Sequence, residues 1–346
     1  MLKKIGIDTR CLLEKNKSGV GEYTQNLINA LLRIDKENKY FFFSEVRICG
    51  LHFPNKLLNA SLKFFKYPKI DKLLTNALDV FITPNLNFIS LSKKCKKIII
   101  VHDISFEIYP EFYSLKSRLW HKFVNLKKLC QEADVIIAVS KNTARDLNDI
   151  YNIPRDKIKV IYPGVETRQC LVSTKKENFI LYLGNIEPRK NIEGLIQAFE
   201  SLHHGSTDLQ LVIAGSLGFK SKKIRQLAEK HKNIKFLGYV SPEERIALYK
   251  SAKLFVFPSF YEGFGFPPLE AMAQGTPIIS SISSSLVEVI GNAGILVDSY
   301  NINELAWAMN EMLTNQKLRE EMIRRGHERV KMFSWEKTAE KILKII

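Results

Sequence analysis

The sequence predicts an α/β protein of two doubly wound domains, each a parallel sheet covered by helices. Three observations lead to this prediction. Short β-branched and aromatic runs recur along the chain, and each is followed by a helical pattern, which is typical of parallel sheets with right-handed crossovers. Runs such as KKIIIVHD and DVIIAVS are apolar on both faces, as expected of strands covered from two sides. The length of 346 residues suits about two domains of ordinary size.

The predicted strands form two groups. In the first half they cover residues 5–9, 40–44, 80–84, 98–103, 135–140 and 158–162, and in the second half 179–184, 209–215, 234–238, 254–258, 277–281 and 294–297. So many strands exceed one comfortable sheet, and the pattern restarts after the polar stretch 166–178. We therefore predict an N-terminal domain over residues 1–165 and a C-terminal domain over 166–330, facing each other across a cleft. The amphipathic stretch 331–346 predicts a helix that packs back on the first domain.

Composition and charge limit the function classes. An apolar fraction of 45% and a charged fraction of 25% argue against a disordered or fibrous chain. The net charge is +16, and residues 1–170 hold 29 basic and 17 acidic side chains, a net of +12. A basic first half predicts an anionic partner such as a phosphorylated lipid, a membrane surface or nucleic acid, with a generally basic proteome as the alternative.

The cysteine pattern and the absence of a recognisable targeting signal predict a cytoplasmic protein. The five cysteines are scattered, without a CxxC pair, which favours neither a disulfide framework nor a zinc site. The first residues, MLKKIGIDTR, lack the apolar core of a signal peptide. No run approaches eighteen apolar residues, so we expect any contact with a membrane to be peripheral.

The richest segment is residues 255–277, FVFPSFYEGFGFPPLEAMAQGTP. A strand ends near Pro258, a glycine-containing loop follows, and Pro267 is well placed to open a helix. Gly263 and Gly265 have no side chains, so their backbone can come close to a ligand. The free N–H groups at a helix start suit a diphosphate. Glu262 and Glu270 stand in the spacing Glu-x7-Glu, and a carboxylate is a good acceptor for paired sugar hydroxyls.

This string resembles the signature of family 4 glycosyltransferases, which have the GT-B fold of two Rossmann-like domains and retain anomeric configuration. The resemblance covers almost the whole chain, from SGVGEYT to FSWEKTAEKIL. It implies that Glu262 lies near the donor sugar and that Glu270 binds the ribose hydroxyls. It also implies that backbone amides hold the donor sugar and its phosphates at Gly263, Phe264, Gly265 and Phe266.

A second segment, LGNIEPRKNIEG at residues 183–194, places Arg189 and Lys190 at a helix start. The helix dipole disfavours cations there unless an anion lies between, so the pair predicts a phosphate site. Two exposed basic residues in a lysine-rich chain are the alternative. The segment resembles the EPRKN sequence of the family, in which the lysine contacts the donor diphosphate and the arginine assists. Asn185 stands where many relatives carry a further arginine.

A third segment, IIIVHDISFEIYP, ends a buried strand with His102 and Asp103. A lone histidine there could equally be a core residue. The HD pair followed by SF and YP resembles the family pattern, which implies that His102 contacts the donor sugar. We therefore take His102, Glu262 and Lys190 as the catalytic candidates.

Glycines mark further candidate positions. The loop KSGVGEYT could be part of a dinucleotide fingerprint, but Thr24 replaces the third glycine and Asp8 is too far from Gly19 for that tight turn, so a Rossmann dehydrogenase is the poorer interpretation. By resemblance, Gly19 reaches toward the diphosphate and the acceptor. Gly215 and the GYVSP segment with Val240 also follow strands, and by resemblance the latter surrounds the nucleotide base. Simple turn geometry is the alternative for both.

No Asp-x-Asp sequence and no spacing of metal ligands occurs, so we expect neither a metal nor a cofactor. The resemblance implies a retaining transferase that moves a hexose, in our prediction mannose from GDP-mannose, to a glycan or polyprenyl-diphosphate-linked acceptor in cell-surface polysaccharide (O-antigen) biosynthesis. Alternatives are a nucleotide-sugar epimerase of the same fold and a basic peripheral scaffold that binds membrane or nucleic acid. No platform of aromatic and basic residues suits nucleic acid.

The stretch 53–74 mixes five lysines with leucines and aromatic residues. Such a mixture can dock on an anionic bilayer, although a domain helix with a solvated lysine face has the same pattern. Together with the basic first half, it favours peripheral binding at the inner face of the plasma membrane.

Overall fold

The computed structural model describes residues 2–13, 18–44, 78–87, 90–166, 176–202 and 208–346. The lysine-rich stretch 53–74 lies outside them. The chain divides into two compact units. The first contains Met1–Ile104, Lys116–Gly164 and Trp335–Ile346, and the second contains Ser105–Leu115 and Val165–Ser334. The predicted α/β class with two parallel-sheet domains is confirmed.

The first unit is built on a six-stranded parallel sheet in the order β2-β1-β3-β4-β5-β6. The strands are β1 (Lys4–Asp8), β2 (Lys39–Phe43), β3 (Val80–Thr83), β4 (Lys96–Val101), β5 (Val135–Ala138) and β6 (Ile158–Val160). Its helices are α1 (Gly19–Ile34), α3 (Leu115–Val124), α4 (Leu126–Glu132), α5 (Lys141–Tyr151) and the last helix of the chain, α13 (Trp335–Leu343). The central strands β3 and β4 are buried over almost their full length, as the doubly apolar runs predict.

The last helix packs on the first unit. The rings of Trp335 and Tyr23 lie edge to face, 5.2 Å apart between centroids. Thr338 donates a hydrogen bond of 2.8 Å to the carbonyl of Tyr162, and the Lys3 ammonium donates to that of Ile346 at 2.6 Å. Aromatic packing and hydrogen bonds therefore tie the carboxyl end of the chain to the first sheet.

The second unit has the parallel order β12-β11-β10-β7-β8-β9. Its strands are β7 (Phe179–Leu183), β8 (Gln210–Ala214), β9 (Ile234–Gly238), β10 (Leu254–Phe257), β11 (Ile278–Ser281) and β12 (Ile295–Val297). Its helices are α2 (Ser105–Ile108), α6 (Ile192–Glu200), α7 (Ser221–Ala228), α8 (Pro242–Ser251), α9 (Phe266–Ala273), α10 (Leu286–Ile290), α11 (Ile302–Thr314) and α12 (Gln316–Val330). The strand order reverses between β7 and β10, and ligands of open parallel sheets bind at such a switch point, beyond the carboxyl ends of the strands.

One segment departs from the domain boundaries that the sequence predicts. Residues Ser105–Leu115 follow β4 in the chain, yet they belong to the second unit. The Tyr109 ring lies 5.9 Å from that of Tyr261, and Phe112 stacks on Phe260 at 5.9 Å and 11°. Aromatic packing against the loop after β10 thus outweighs proximity in sequence.

Candidate active site

The loop after β7 carries the predicted phosphate-binding residues. It passes through a short 3-10 turn, Pro188–Lys190, to Asn191, whose left-handed backbone starts α6 and whose side chain accepts from the Gly194 N–H. Gly215 after β8 allows this loop to lie close, because a Cβ on it would stand 1.9 Å from the Gly184 carbonyl oxygen. Lys190 ends the turn buried, with only 8% of its surface exposed.

The loop after β10, residues 258–265, is here called the Glu262 loop. It has no regular secondary structure, but nearly all of it is buried, and Glu262 is 8% exposed. Gly265 ends it in the left-handed region at a φ of 108° and leads into α9, which Pro267 and Pro268 help to start. Because β7 and β10 are neighbours, their two loops meet at the switch point of the sheet.

Lys190 and Glu262 form a buried ion pair there. Lys190 Nζ lies 2.5 Å from Glu262 Oε1, and Arg189 Nη1 lies 3.4 Å from Oε2. Burial by itself raises the pKa of Glu262, but the charges of Lys190 and Arg189 outweigh it and bring the pKa below its ordinary value. Glu262 is therefore a carboxylate at neutral pH, held between two cations.

Arg189 also ties the two loops together. Its guanidinium donates to the Tyr261 carbonyl at 2.5 Å and to Glu187 at 2.9 Å, while its own carbonyl accepts from the Phe260 N–H at 2.9 Å. Arg189 is thus largely occupied by protein groups. The ammonium of Lys190 donates to the Glu262 carboxylate and lies 5.3 Å from the centroid of the Phe257 ring, and a ligand oxygen could replace that carboxylate.

Glu270 occupies a separate position, on α9. Its Oε2 accepts from the Tyr249 hydroxyl at 3.1 Å, and its Oε1 lies 3.7 Å from Arg245. Both partners come from α8, which begins with a capping box at Ser241 and Glu244. Tyr249 and Arg245 were not predicted from the sequence, because nothing in the pattern of α8 separates them from ordinary core and surface residues.

The other candidates of the second unit offer main-chain groups to a ligand. Gly263 is buried, and Phe264 turns its ring onto Phe266 and Phe333, at 5.2 and 5.6 Å between centroids. Packing therefore uses the Phe264 side chain and leaves only main-chain groups for a ligand. Val240 is half-buried after β9, beside the exposed Tyr239.

His102 and Gly19 belong to the first unit. His102 follows β4; its Nε2 lies 2.9 Å from the Pro84 carbonyl, to which it donates, and the Tyr23 ring meets it edge to face at 4.8 Å. Burial lowers the pKa of His102 more than the Pro84 hydrogen bond and the Asp103 charge raise it. The imidazole is thus neutral, with Nδ1 as an acceptor. Gly19 is exposed at the start of α1, and a Cβ there would meet nothing within 4 Å among the described residues.

Comparison with known proteins decides the family. The family Glycosyltransferase Family 4 matches residues 18–169, and Glycosyl transferases group 1 matches residues 166–329. O-antigen chain mannosyltransferase B of Escherichia coli is 34% identical over 257 residues, which cover 70% of this chain and 67% of that protein. The chain belongs to the family 4, group 1 glycosyltransferases. The family predicted from the PSFYEGFGFPPLEAMAQGTP and EPRKN segments is confirmed.

Other relatives of this glycosyltransferase differ in length or in sequence. The serotype-specific mannosyltransferase WbdA of Escherichia coli is 30% identical over 70% of this chain, which spans only 32% of that relative. Sucrose-phosphate synthase from Thermosynechococcus elongatus superposes with a TM-score of 0.75 at 21% identity, over 99% of this chain and 98% of the other. HepE from Anabaena, solved with UDP and glucose, gives 0.72 at 16%, over 99% of both chains. These two structures share the fold of this glycosyltransferase.

Metal-ligand clusters and membrane-spanning helices are both absent from the described part of the chain. Within residues 2–13, 18–44, 78–87, 90–166, 176–202 and 208–346, no cluster of three or more His, Cys, Asp or Glu could hold a metal ion. Among the same residues, no helix has the length and apolar character needed to cross a membrane.

Proposed function

We propose that this glycosyltransferase transfers mannose from GDP-mannose, with retention of configuration, to a saccharide or polyprenyl-diphosphate-linked acceptor in cell-surface polysaccharide synthesis. The observation that supports this most is the buried pair of Lys190 and Glu262 at the switch point of the second sheet. It puts a cation for a diphosphate and a carboxylate for sugar hydroxyls side by side. The names of the E. coli relatives, both mannosyltransferases, support the choice of mannose.

Donor binding exchanges the partners of this pair. The diphosphate takes the ammonium of Lys190, and the leaving-group charge is then met by Lys190, Arg189 and the backbone N–H groups of residues 263–266 without a metal. Glu262, released from Lys190, accepts hydroxyls of the sugar. Glu270 accepts the ribose hydroxyls, and Tyr249 and Arg245 hold its carboxylate in place.

Transfer proceeds on one face of the sugar. The bond between the anomeric carbon and the phosphate oxygen breaks, and the acceptor oxygen bonds to the same face of that carbon. The acceptor proton passes to the leaving phosphate oxygen, so the products are a glycoside and a nucleoside diphosphate. In this scheme Glu262 and the neutral His102 position the sugar, and no carboxylate attacks the anomeric carbon.

The basic first half supports a peripheral position on the cytoplasmic face of an anionic membrane, where a polyprenyl-diphosphate acceptor would lie. The net charge of +12 over residues 1–170 provides the attraction. The lysines of residues 53–74, which lie outside the described residues, are the candidates for contact.

The test is a panel of nucleotide sugars incubated with and without saccharide and lipid-linked acceptors. We expect release of GDP from GDP-mannose that depends on acceptor, with an α-linked product by NMR. The variant Glu262→Gln should lose transfer, while Glu229→Gln, which alters an exposed pair with Arg225, should keep it. Interconversion of nucleotide sugars without acceptor would instead identify an epimerase, and a trapped glycosylated Asp or Glu would refute the same-face route.

A further inference from the structure

The buried peptide groups of the Glu262 loop need hydrogen-bond partners from outside the loop. Residues 258–265 are mostly buried but form neither helix nor strand, so no regular ladder satisfies their peptide groups. Buried N–H and C=O groups without partners are costly, and native structures pair nearly all of them. Arg189 bonds two of these groups, the Phe260 N–H and the Tyr261 carbonyl, and further partners come from the side chains of a neighbouring stretch of the chain.

We call residues 281–285, with the sequence SISSS, the serine segment. It begins at Ser281, the last residue of β11, and β11 lies beside β10 in the sheet, so the serines lie next to the Glu262 loop. All four serines bond the backbone of that loop. The hydroxyls of Ser281 and Ser283 donate to the carbonyls of Ser259 and Phe260, Ser284 accepts from the Glu262 N–H at 2.8 Å, and Ser285 lies 2.9 and 2.8 Å from the carbonyls of Glu262 and Phe264.

Ser284 and Ser285 thus hold both main-chain polar groups of Glu262. Ser285 is fully buried, and Ser284 has a φ of 49°, in the left-handed region that a serine adopts only at a cost. Such backbone strain persists where surrounding contacts hold it, and it clusters at ligand sites. In this case the strained residue provides the acceptor for the Glu262 N–H.

We propose that Ser284 and Ser285 are positioning residues that fix the backbone of Glu262 while its side chain changes partners. This inference rests on the proposed function, in which the donor diphosphate draws Lys190 away from Glu262. The carboxylate then loses its closest cation, while Arg189 lies farther away at 3.4 Å. A loop without regular structure would let the carboxylate move. The two serine hydroxyls act on the main chain alone, so their hold is unaffected when the ion pair opens.

The test compares Ser284→Ala and Ser285→Ala with the matched variant Ser280→Ala. Ser280 is fully buried, as Ser285 is, but its hydroxyl donates, at 2.7 Å, to the carbonyl of the strand residue Phe257, which precedes the loop. We expect Ser284→Ala and Ser285→Ala each to lower kcat for hexose transfer about 10- to 100-fold, because displacement of a catalytic group by about 1 Å has effects of this size. Affinity for GDP, which lacks the sugar, should stay within about twofold of wild type, and Ser280→Ala should retain the wild-type kcat.

Two further variants separate positioning from other roles. Ser284→Gly relieves the left-handed strain but lacks the hydroxyl, so it should be as slow as Ser284→Ala; wild-type turnover in it would overturn the proposal. Ser285→Ala combined with Glu262→Ala should be no slower than Glu262→Ala alone, because the serine acts through that residue. A further loss of kcat in the double variant would overturn the proposal. So would kcat losses in Ser280→Ala, Ser284→Ala and Ser285→Ala that parallel the decrease in their melting temperatures. If wild type transfers no sugar from any donor, the proposed function itself has failed.

Discussion

Lys190 and Glu262, 72 positions apart in the chain, form an ion pair of 2.5 Å between loops that follow neighbouring strands of the second sheet. Both side chains are almost fully buried, and Arg189 adds a second cation at 3.4 Å. Removal of two charges from water is expensive, so such a pair is weak evidence for stability by itself. In the proposed function, its place at the switch point brings together the cation for the diphosphate and the carboxylate for the sugar hydroxyls.

The first prediction concerns the separation of stability from donor binding. Lys190→Ala leaves a buried carboxylate without its closest cation and should lower the free energy of unfolding by about 3–5 kcal/mol. It should also weaken GDP binding by about 1.5–3 kcal/mol, the value of a charge-assisted contact. Urea unfolding and calorimetry measure the two effects.

The double variant Lys190→Ala with Glu262→Gln provides the control for that prediction. With both charges removed, much of the lost stability should return, but GDP binding should stay weak because the ammonium is still missing. Recovery of GDP affinity along with stability would show that Lys190 supports the fold and does not contact the diphosphate.

The second prediction follows from the lowered pKa of Glu262. An unfolded glutamate titrates near 4.5, and the cations lower the folded value despite burial. A lowered folded pKa contributes stability that is present above the unfolded pKa and lost as pH falls through the folded one. As the pH falls below about 5, the unfolding free energy should therefore fall less steeply in Glu262→Gln than in wild type. Parallel curves in urea titrations would contradict the assignment, and Glu229→Gln serves as the exposed control.

The third prediction concerns the ribose. Glu270→Ala should weaken GDP binding by about 1.5–3 kcal/mol, and it should abolish the preference of wild type for GDP over its 2′-deoxy analogue. Tyr249→Phe keeps the buried ring but removes the hydroxyl bonded to Glu270, so we expect a smaller loss in the same direction. Calorimetry with both nucleotides measures the two affinities. A Glu270→Ala variant that still prefers GDP over the 2′-deoxy analogue would place the ribose elsewhere.

The fourth prediction concerns the membrane. Each basic residue near an anionic surface contributes about 1 kcal/mol, and salt screens this over about 8–10 Å. Wild type should co-sediment with anionic liposomes at low salt and release at high salt. Substitution of Lys63, Lys66, Lys69 and Lys72 by Gln should abolish binding while donor hydrolysis persists. If wild type ignores anionic liposomes at low salt, a freely diffusing acceptor becomes the better hypothesis.

The class of fold, the family and the candidate loops could be predicted from local patterns in the amino-acid sequence. Strands such as β4 and β5 are doubly apolar over several residues, and this local pattern suffices to place them between two layers of helices. Lys190 and Glu262 were predicted for the same reason, since each lies in a local string, EPRKN or EGFGFPPLE, whose glycines, prolines and charges act within a few residues.

Which residues meet depends on how distant elements pack. The reversal of strand order beside β7 joins Lys190 to Glu262, and the pairing of β11 with β10 brings the serine segment to the Glu262 loop. The partners of Glu270 on α8 and the transfer of Ser105–Leu115 to the second unit likewise depend on packing between elements distant in sequence. Periodicity reports which face of an element is buried, but it carries no information on which other element covers that face, because many partners satisfy the same apolar pattern.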